Sequence, residues 1–284
     1  MPQATKHQSH RTTKLLNLGD AGSGKTGALA SLAKAGQRLI ILDFDNGLDI
    51  LIGLLKGDQS ALEHIYFETF TDSLKMGPQN IIVSEGKPTA FLSAMKGLTK
   101  WEFPIERGSK ETYNLGNAGD WGPDTTIVID SLGFAADAAL RFVRQDNMHQ
   151  FEKFVSQPDY GQAMNLIEGM LQLLYSDSIK CNVIVNTHIV YLEDVLKGTL
   201  KGLPRALGSK LPPKVGGYFN TIVRTLSEGQ GRSQKRVIKT ASDIGTELKL
   251  PVAPGTIPDT LPIEDGLVTI FNALKTEEWI EIPD

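Results

Sequence analysis

The stretch Leu15-Leu16-Asn17-Leu18-Gly19-Asp20-Ala21-Gly22-Ser23-Gly24-Lys25-Thr26 decides the fold. A short apolar run enters it. The last eight residues, Gly19 to Thr26, fit G-x-x-x-x-G-K-[ST] at every constrained position. The chemistry behind that spacing is the wrapping of a phosphate chain. Glycines let the backbone curl so that successive N–H groups point inward, and the helix that starts there adds its positive end. Lys25 supplies a point charge for the β- and γ-phosphates, and the Thr26 hydroxyl is placed to ligate Mg²⁺. The ligand implied is ATP with Mg²⁺, cradled by Gly19, Asp20, Ala21, Gly22, Ser23, Gly24, Lys25 and Thr26. A glycine-rich turn with an incidental lysine is the bland alternative. The strand before the motif and the helical pattern of Gly24–Ala35 after it argue against that alternative.

Three more apolar runs resemble the first: Leu39–Phe44, Thr126–Ile129 and Asn182–Val185. Each ends in small, polar or acidic residues, and helix-period segments lie between them. Runs apolar on both faces, alternating with helices, predict an α/β domain with a mostly parallel sheet flanked by helices. Ligands of such sheets sit at the carboxyl ends of the strands, where these polar residues cluster. The sequence divides into a flexible segment at 1–13, a core at 14–250 and a tail at 251–284. Within the core, 71–123 reads as an insertion and 190–217 as a Gly/Pro/Lys loop. Two strands, Phe219–Leu226 and Arg236–Thr240, follow as a C-terminal β extension. The tail carries six acids from Glu264 to Asp284 and reads as peripheral, with a short helix near Leu267–Leu274.

A phosphate loop needs a carboxylate from another strand to hold the Mg²⁺ shell, and Asp130 ends the run Thr126–Ile129. Hydrolysis also needs a group that orients or deprotonates water. Asp43 and Asp45 are two apart, so they share one face of a strand. Asp45 lies nearer the carboxyl end and is the preferred catalytic carboxylate. The run Asn182–Val185 leads into Asn186-Thr187-His188, a polar strand end suited to sensing the γ-phosphate through Thr187 or His188. No His or Cys cluster accompanies His188, so nothing in the sequence favours a metal-ligand role for it.

From Val195 to Thr240 ten basic residues face one acid, Glu228, a balance of +9. The remainder of this −4 chain is therefore −13. Lys197, Lys201, Arg205, Lys210 and Lys214 fall in the predicted loop, and their pattern suits a grip on the backbone of single-stranded DNA. A solvated basic face is the plainer reading. Basic residues here also suit a finger reaching the ATP of a neighbouring subunit. Elsewhere the composition is ordinary for a soluble protein, with 40% apolar and 22% charged residues. No apolar run is long enough to span a bilayer, and the polar first residues show no secretory signal. The single cysteine, Cys181, excludes an internal disulfide framework and fits a reducing cytoplasm.

The order of these pieces resembles the core ATPase domain of RecA. The closer resemblance is to the short RecA-like P-loop ATPases of bacteriophages, known as phage nucleotide-binding proteins. The residues that carry it are Asp43-Phe44-Asp45, Asp130-Ser131, Trp121-Gly122-Pro123, Asp159-Tyr160-Gly161-Gln162, Asn186-Thr187-His188, Gly208-Ser209-Lys210-Leu211-Pro212 and Tyr218-Phe219-Asn220. Asp45 stands where that family usually has glutamate. The resemblance implies a RecA-like fold over residues 13–245 and an ATPase of single-strand annealing or recombination. It also implies assembly as a homo-oligomeric ring or filament on single-stranded DNA, with a single-strand binding protein as further partner, in the cytoplasm of a bacterial host cell. A small-molecule or nucleoside kinase, or a nucleotide-gated replication scaffold, remain the alternatives.

Overall fold

Apolar runs with no polar face must be buried on both sides, and the chain does this with one large sheet between two helical layers. The computed structural model describes residues 12–106, 108–194, 198–243 and 245–276. The first half runs β1 (Lys14–Gly19), α1 (Lys25–Lys34), β2 (Arg38–Asp43), α2 (Asp49–Leu54), α3 (Gln59–Leu62) and β3 (Ile65–Thr69). Then come β4 (Leu74–Met76), β5 (Ile82–Ser84), α4 (Ala90–Thr99), β6 (Trp101–Pro104), β7 (Thr112–Gly116) and β8 (Thr125–Asp130). The second half runs α5 (Leu132–Asp146), α6 (Gln157–Tyr175), β9 (Asn182–Asp194), β10 (Thr199–Pro204) and α7 (Pro212–Val215). It closes with β11 (Thr221–Glu228), β12 (Lys235–Lys239), β13 (Thr260–Pro262) and α8 (Gly266–Thr276).

The sheet order is β13-β12-β11-β1-β9-β8-β2-β3, with β10 paired to β9. From β11 to β3 every neighbour is parallel. β12 and β13 add antiparallel at the edge. One strand, β9, therefore separates the phosphate-loop strand β1 from the Asp130 strand β8. Alternate residues serve opposite layers. Leu16, Ile40, Ile127 and Val183 pack with α4, α5 and α6, while Leu15, Ile41, Val128 and Ile184 pack with α1, α2 and α8.

Five sequence expectations change. The run predicted to end at Val185 continues to Asp194, because residues 189–194 pair antiparallel with β10. Its polar middle is tolerated because Asn186 and Thr187 are hydrogen-bonded inside the protein. The predicted loop at 190–217 is thus in large part a β-hairpin followed by α7. Helix α6 starts at Gln157, five residues before the periodicity suggests. Ser156 caps it by accepting from the Asp159 N–H at 3.2 Å, and Pro158 fits the first turn.

The segment 71–123 is not an appendage. Its Phe91, Leu98, Trp101 and Trp121 belong to the same buried cluster as Leu16, Leu42 and Ile127. Asp72 ties it down by accepting from the Thr89 and Ala90 N–H groups at the start of α4 and pairing with Arg141 at 3.1 Å. The tail is not peripheral either: β13 extends the sheet, and α8 buries Leu267, Ile270 and Phe271 in the α1 layer. Residues 1–11 and 277–284, at the ends of the predicted N-terminal segment and acidic tail, lie outside the described residues.

Trp101 is 1% exposed and meets Phe103 and Trp121 edge to face. Replacing it with alanine is expected to cost about 3–5 kcal/mol of stability, the range for emptying a large aromatic site. Chemical denaturation of Trp101→Ala would check this; a loss under 1 kcal/mol would mean that the segment folds separately.

Candidate functional site

The phosphate loop leaves β1 at Gly19 and enters α1 at Lys25. The Ser23 N–H closes a turn on the Asp20 carbonyl at 3.2 Å. Gly24 has φ 104°, a left-handed conformation that a side chain strains, and Arg236 Cδ stands 2.8 Å from where its Cβ would be. At Gly19 a Cβ would collide with the Thr225 carbonyl. Glycine is thus demanded by backbone conformation at one end and by close packing at the other. Lys25 lies across the loop and donates to the Gly19 and Asp20 carbonyls, both at 2.9 Å. Burial lowers its pKa, while Asp130, Asp45 and Asp20 act to keep it charged.

Asp130 is the last residue of β8 and 1% exposed. The Thr26 hydroxyl donates to its Oδ2 at 2.6 Å, joining the first turn of α1 to β8. Burial, and next the nearby Asp45, push the Asp130 carboxyl up to about 7. On β2, Asp43 accepts from the Gly47 N–H at 3.4 Å and from the Thr69 hydroxyl at 3.2 Å. Burial, reinforced by Asp45, raises Asp43 to about 6. The two aspartates differ in their partners. Asp43 is occupied by these partners, whereas Asp45 Oδ1 is buried with no hydrogen-bond partner.

Asn186 and His188 share the α1 face of β9, and Thr187 faces the other way. The Thr187 hydroxyl donates to the Arg205 carbonyl at 2.9 Å, on the side away from the loop. His188 Nδ1 is buried and unpartnered, and Phe134 meets its ring edge to face. Burial, and next the charge of Lys25, lower its pKa, which favours the neutral imidazole. Of the two sensor candidates, His188 is the one beside Lys25.

A cavity of about 700 Å³ adjoins the loop between α1 and the β12–β13 edge. Gly24, Leu54, Gln234, Arg236, Ile263 and Glu264 line it. Apart from Gly24, the motifs did not point to these residues, because the edge strands bring them in from far along the chain. Asn17 of the loop strand and Thr225 beside it are also buried, and nothing in their sequence context points to them.

The basic residues are placed differently from the sequence picture. Lys201 pairs with Glu247, Arg205 with Asp137 and Lys214 with Glu168. Arg224 pairs with Asp243, and Lys239 with Glu228. Arg205 also lies over the Phe134 ring, 5.2 Å from its centre. Lys210 is exposed in the turn after Ser209, and Lys197 lies outside the described residues. Among the described residues no group of three or more His, Cys, Asp or Glu is arranged to hold a metal ion. None of their helices is long and apolar enough to cross a membrane.

A curled glycine loop between a buried parallel strand and a helix, with its lysine and threonine beside a strand-end aspartate, defines a P-loop nucleotide-binding ATPase domain. Residues 11–249 match the family model described as AAA domain, and the chain belongs to that family. No curated protein matches it. Among solved structures it is similar to the flagellar accessory protein FlaH of Methanocaldococcus jannaschii. That match has 11% identity, covers 89% of this chain and 87% of the other, and has a TM-score of 0.42. A KaiC-like protein, PH0186 of the archaeon Pyrococcus horikoshii OT3, matches at 11% identity, 85% and 82% coverage and a TM-score of 0.41. An ATPase of the type III secretion system of pathogenic bacteria matches at 12% identity, covering 75% of this chain and 51% of that one, with a TM-score of 0.40.

The raised carboxyls make stability depend on pH. Asp43 and Asp130 titrate near 6 and 7 in the folded chain but near 3.9 when unfolded. Between those values the folded state holds protons that the unfolded state has released, so stability falls as pH rises through the window. The melting temperature of nucleotide-free protein is expected to drop from pH 4.5 to 7.5. Asp130→Asn is expected to flatten that slope and to melt above the wild type at pH 7.5; calorimetry across the range checks both.

Proposed function

We propose that the chain is an Mg²⁺-dependent ATPase that binds single-stranded DNA and promotes strand annealing or recombination in bacteriophage DNA metabolism. The observation that carries the ATPase reading is the convergence of Lys25, the Thr26–Asp130 pair and the unpartnered Asp45 Oδ1 on the mouth of one loop. These donors fit a hard cation that keeps most of its waters and takes its remaining ligands from phosphate. Thr26 and Asp130 would hold Mg²⁺, whose chemistry is neutralisation of charge on the phosphates. Lys25 binds the β- and γ-phosphates. Asp45 orients the attacking water and accepts its proton. The neutral His188 imidazole hydrogen-bonds the γ-phosphate region. The cavity beside Gly24 receives the nucleobase, against Leu54 and Ile263.

The DNA-binding part rests on the basic hairpin and α7. Lys201, Arg205 and Lys214 are held in surface ion pairs, each worth about 0–1 kcal/mol. A DNA phosphate therefore displaces their partners at small cost, and Lys210 adds a further charge. The backbone of β9 runs from His188 directly into the hairpin, so loss of the γ-phosphate reaches the DNA surface through one strand. The Arg205 N–H donates to the His188 carbonyl at 2.6 Å, which ties the two parts together. Assembly as a homo-oligomer on DNA, with a single-strand binding protein as further partner in a bacterial cytoplasm, follows from the resemblance to the phage ATPases.

Lys25→Ala is expected to abolish turnover. Asp45→Asn is expected to keep nucleotide binding and lower kcat by about 10²–10⁴-fold, the scale of a lost general base. A phosphate-release assay with and without single-stranded DNA checks both. Turnover indifferent to DNA would remove the coupling, and a phosphorylated acceptor in place of free phosphate would favour a kinase.

Neutralising Lys201, Lys210 and Lys214 together is expected to weaken DNA binding. It should also make log K fall less steeply with log[salt], by about 0.7 per lost contact. Fluorescence anisotropy over a salt series reads that slope.

A further inference from the structure

The carboxyl-end layer of the sheet is polar across six strands. Thr69, Asp43, Asp130, Asn186, Asn17 and Thr225 all stand on the α1 face, because side chains alternate along each strand. The ladder sets Thr69 beside Asp43, Asp43 beside Asp130, Asp130 beside Asn186 and Asn186 beside Asn17. Asn17, Asn186 and Thr225 are each 0% exposed. Two asparagines and a threonine buried this completely are costly unless their hydrogen bonds are made.

Those bonds run in one direction. The Thr225 hydroxyl donates to Asn17 Oδ1 at 2.6 Å. That leaves the Asn17 amide nitrogen facing β9, where it donates to Asn186 Oδ1 at 3.0 Å. The Asn186 amide nitrogen is thereby turned toward β8. It is buried with no hydrogen-bond partner, and the ladder sets it beside Asp130. Asp130 Oδ2 is taken by Thr26, so its other oxygen is left for this amide. At the far end the Thr225 backbone presses against Gly19, the first glycine of the phosphate loop.

We infer that Thr225, Asn17 and Asn186 form a directional hydrogen-bond chain that aims an amide N–H at Asp130 and positions its carboxylate for the metal–nucleotide complex. The inference rests on Asp130 being the Mg²⁺ carboxylate, as proposed above. The three are positioning residues, since they act only through Asp130. Partners that orient a ligating carboxylate typically change metal affinity by about 10–100-fold when removed.

Two substitutions attack the chain differently. Asn186→Leu deletes the amide. Asn17→Asp is isosteric but has no N–H to offer, so it binds the Asn186 nitrogen and turns the Asn186 oxygen onto Asp130. Mn²⁺ uptake by the full chain saturated with ADP, read by electron paramagnetic resonance, gives metal affinity without turnover. Titration with ADP in EDTA gives nucleotide affinity without metal. Both variants are expected to lose about 10–100-fold in Mn²⁺ affinity while metal-free ADP binding stays within about twofold. The double variant is expected to be no weaker than Asn186→Leu alone, because both act through one amide. Thr225→Val, which spares both amides, is expected to lose less, and it serves if Asn17→Asp does not fold. Wild-type Mn²⁺ affinity in Asn186→Leu and in Asn17→Asp or Thr225→Val would overturn the chain alone. Failure of the unaltered protein to take up Mn²⁺ with ADP would overturn the reading of Asp130 and the chain with it.

Discussion

The hydrogen bond from Thr26 to Asp130, 2.6 Å long and closed to water on the strand side, is the contact on which the site depends. It joins the first turn of α1 to β8, although β9 lies between β8 and the strand that feeds the loop. An acidic strand end and the positive end of a helix are thereby brought to one point, where a triphosphate's charge is met. The cost is carried by the carboxyls. Asp43 and Asp130 are pushed up by burial and by each other's neighbour Asp45, so the cluster is strained electrostatically until cations arrive.

That strain explains the polar layer beneath the site. A carboxylate at the end of a buried strand needs donors, and neighbouring elements supply them: Thr69 of β3 to Asp43, and Thr26 of α1 to Asp130. Two residues earlier on the α1 face, β1, β2, β8, β9 and β11 carry Leu15, Ile41, Val128, Ile184 and Val223 against the helices. Function and stability therefore divide the same strands by position along their length.

Charge tells a different story from sequence to structure. The basic run between Val195 and Thr240 is conspicuous along the chain, with ten cations against one acid. In the fold, Lys201, Arg205, Lys214 and Arg224 meet acids from distant segments: Glu247, Asp137, Glu168 and Asp243. Lys201, Arg205 and Lys214 thus stand in partly exposed ion pairs, while Arg224 is mostly buried among Tyr191, Asp243 and Thr246.

The sequence by itself determined the phosphate loop, the four strands around it and the nomination of Asp45, Asp130 and His188. Those signals are local: a glycine spacing set by one turn, and apolar runs whose burial follows from their composition. Only the tertiary structure decided that the 190–217 segment is largely a hairpin, that 71–123 and the acidic tail help build the core, and that His188, not Thr187, stands beside Lys25. It also brought Asn17, Asn186 and Thr225 together in one hydrogen-bonded row. The physical reason is that a strand shows its facing, its partner and its ladder position only when paired. Residues on β1, β9 and β11 that are far apart in the chain become neighbours through backbone hydrogen bonds, and no window of sequence contains them together.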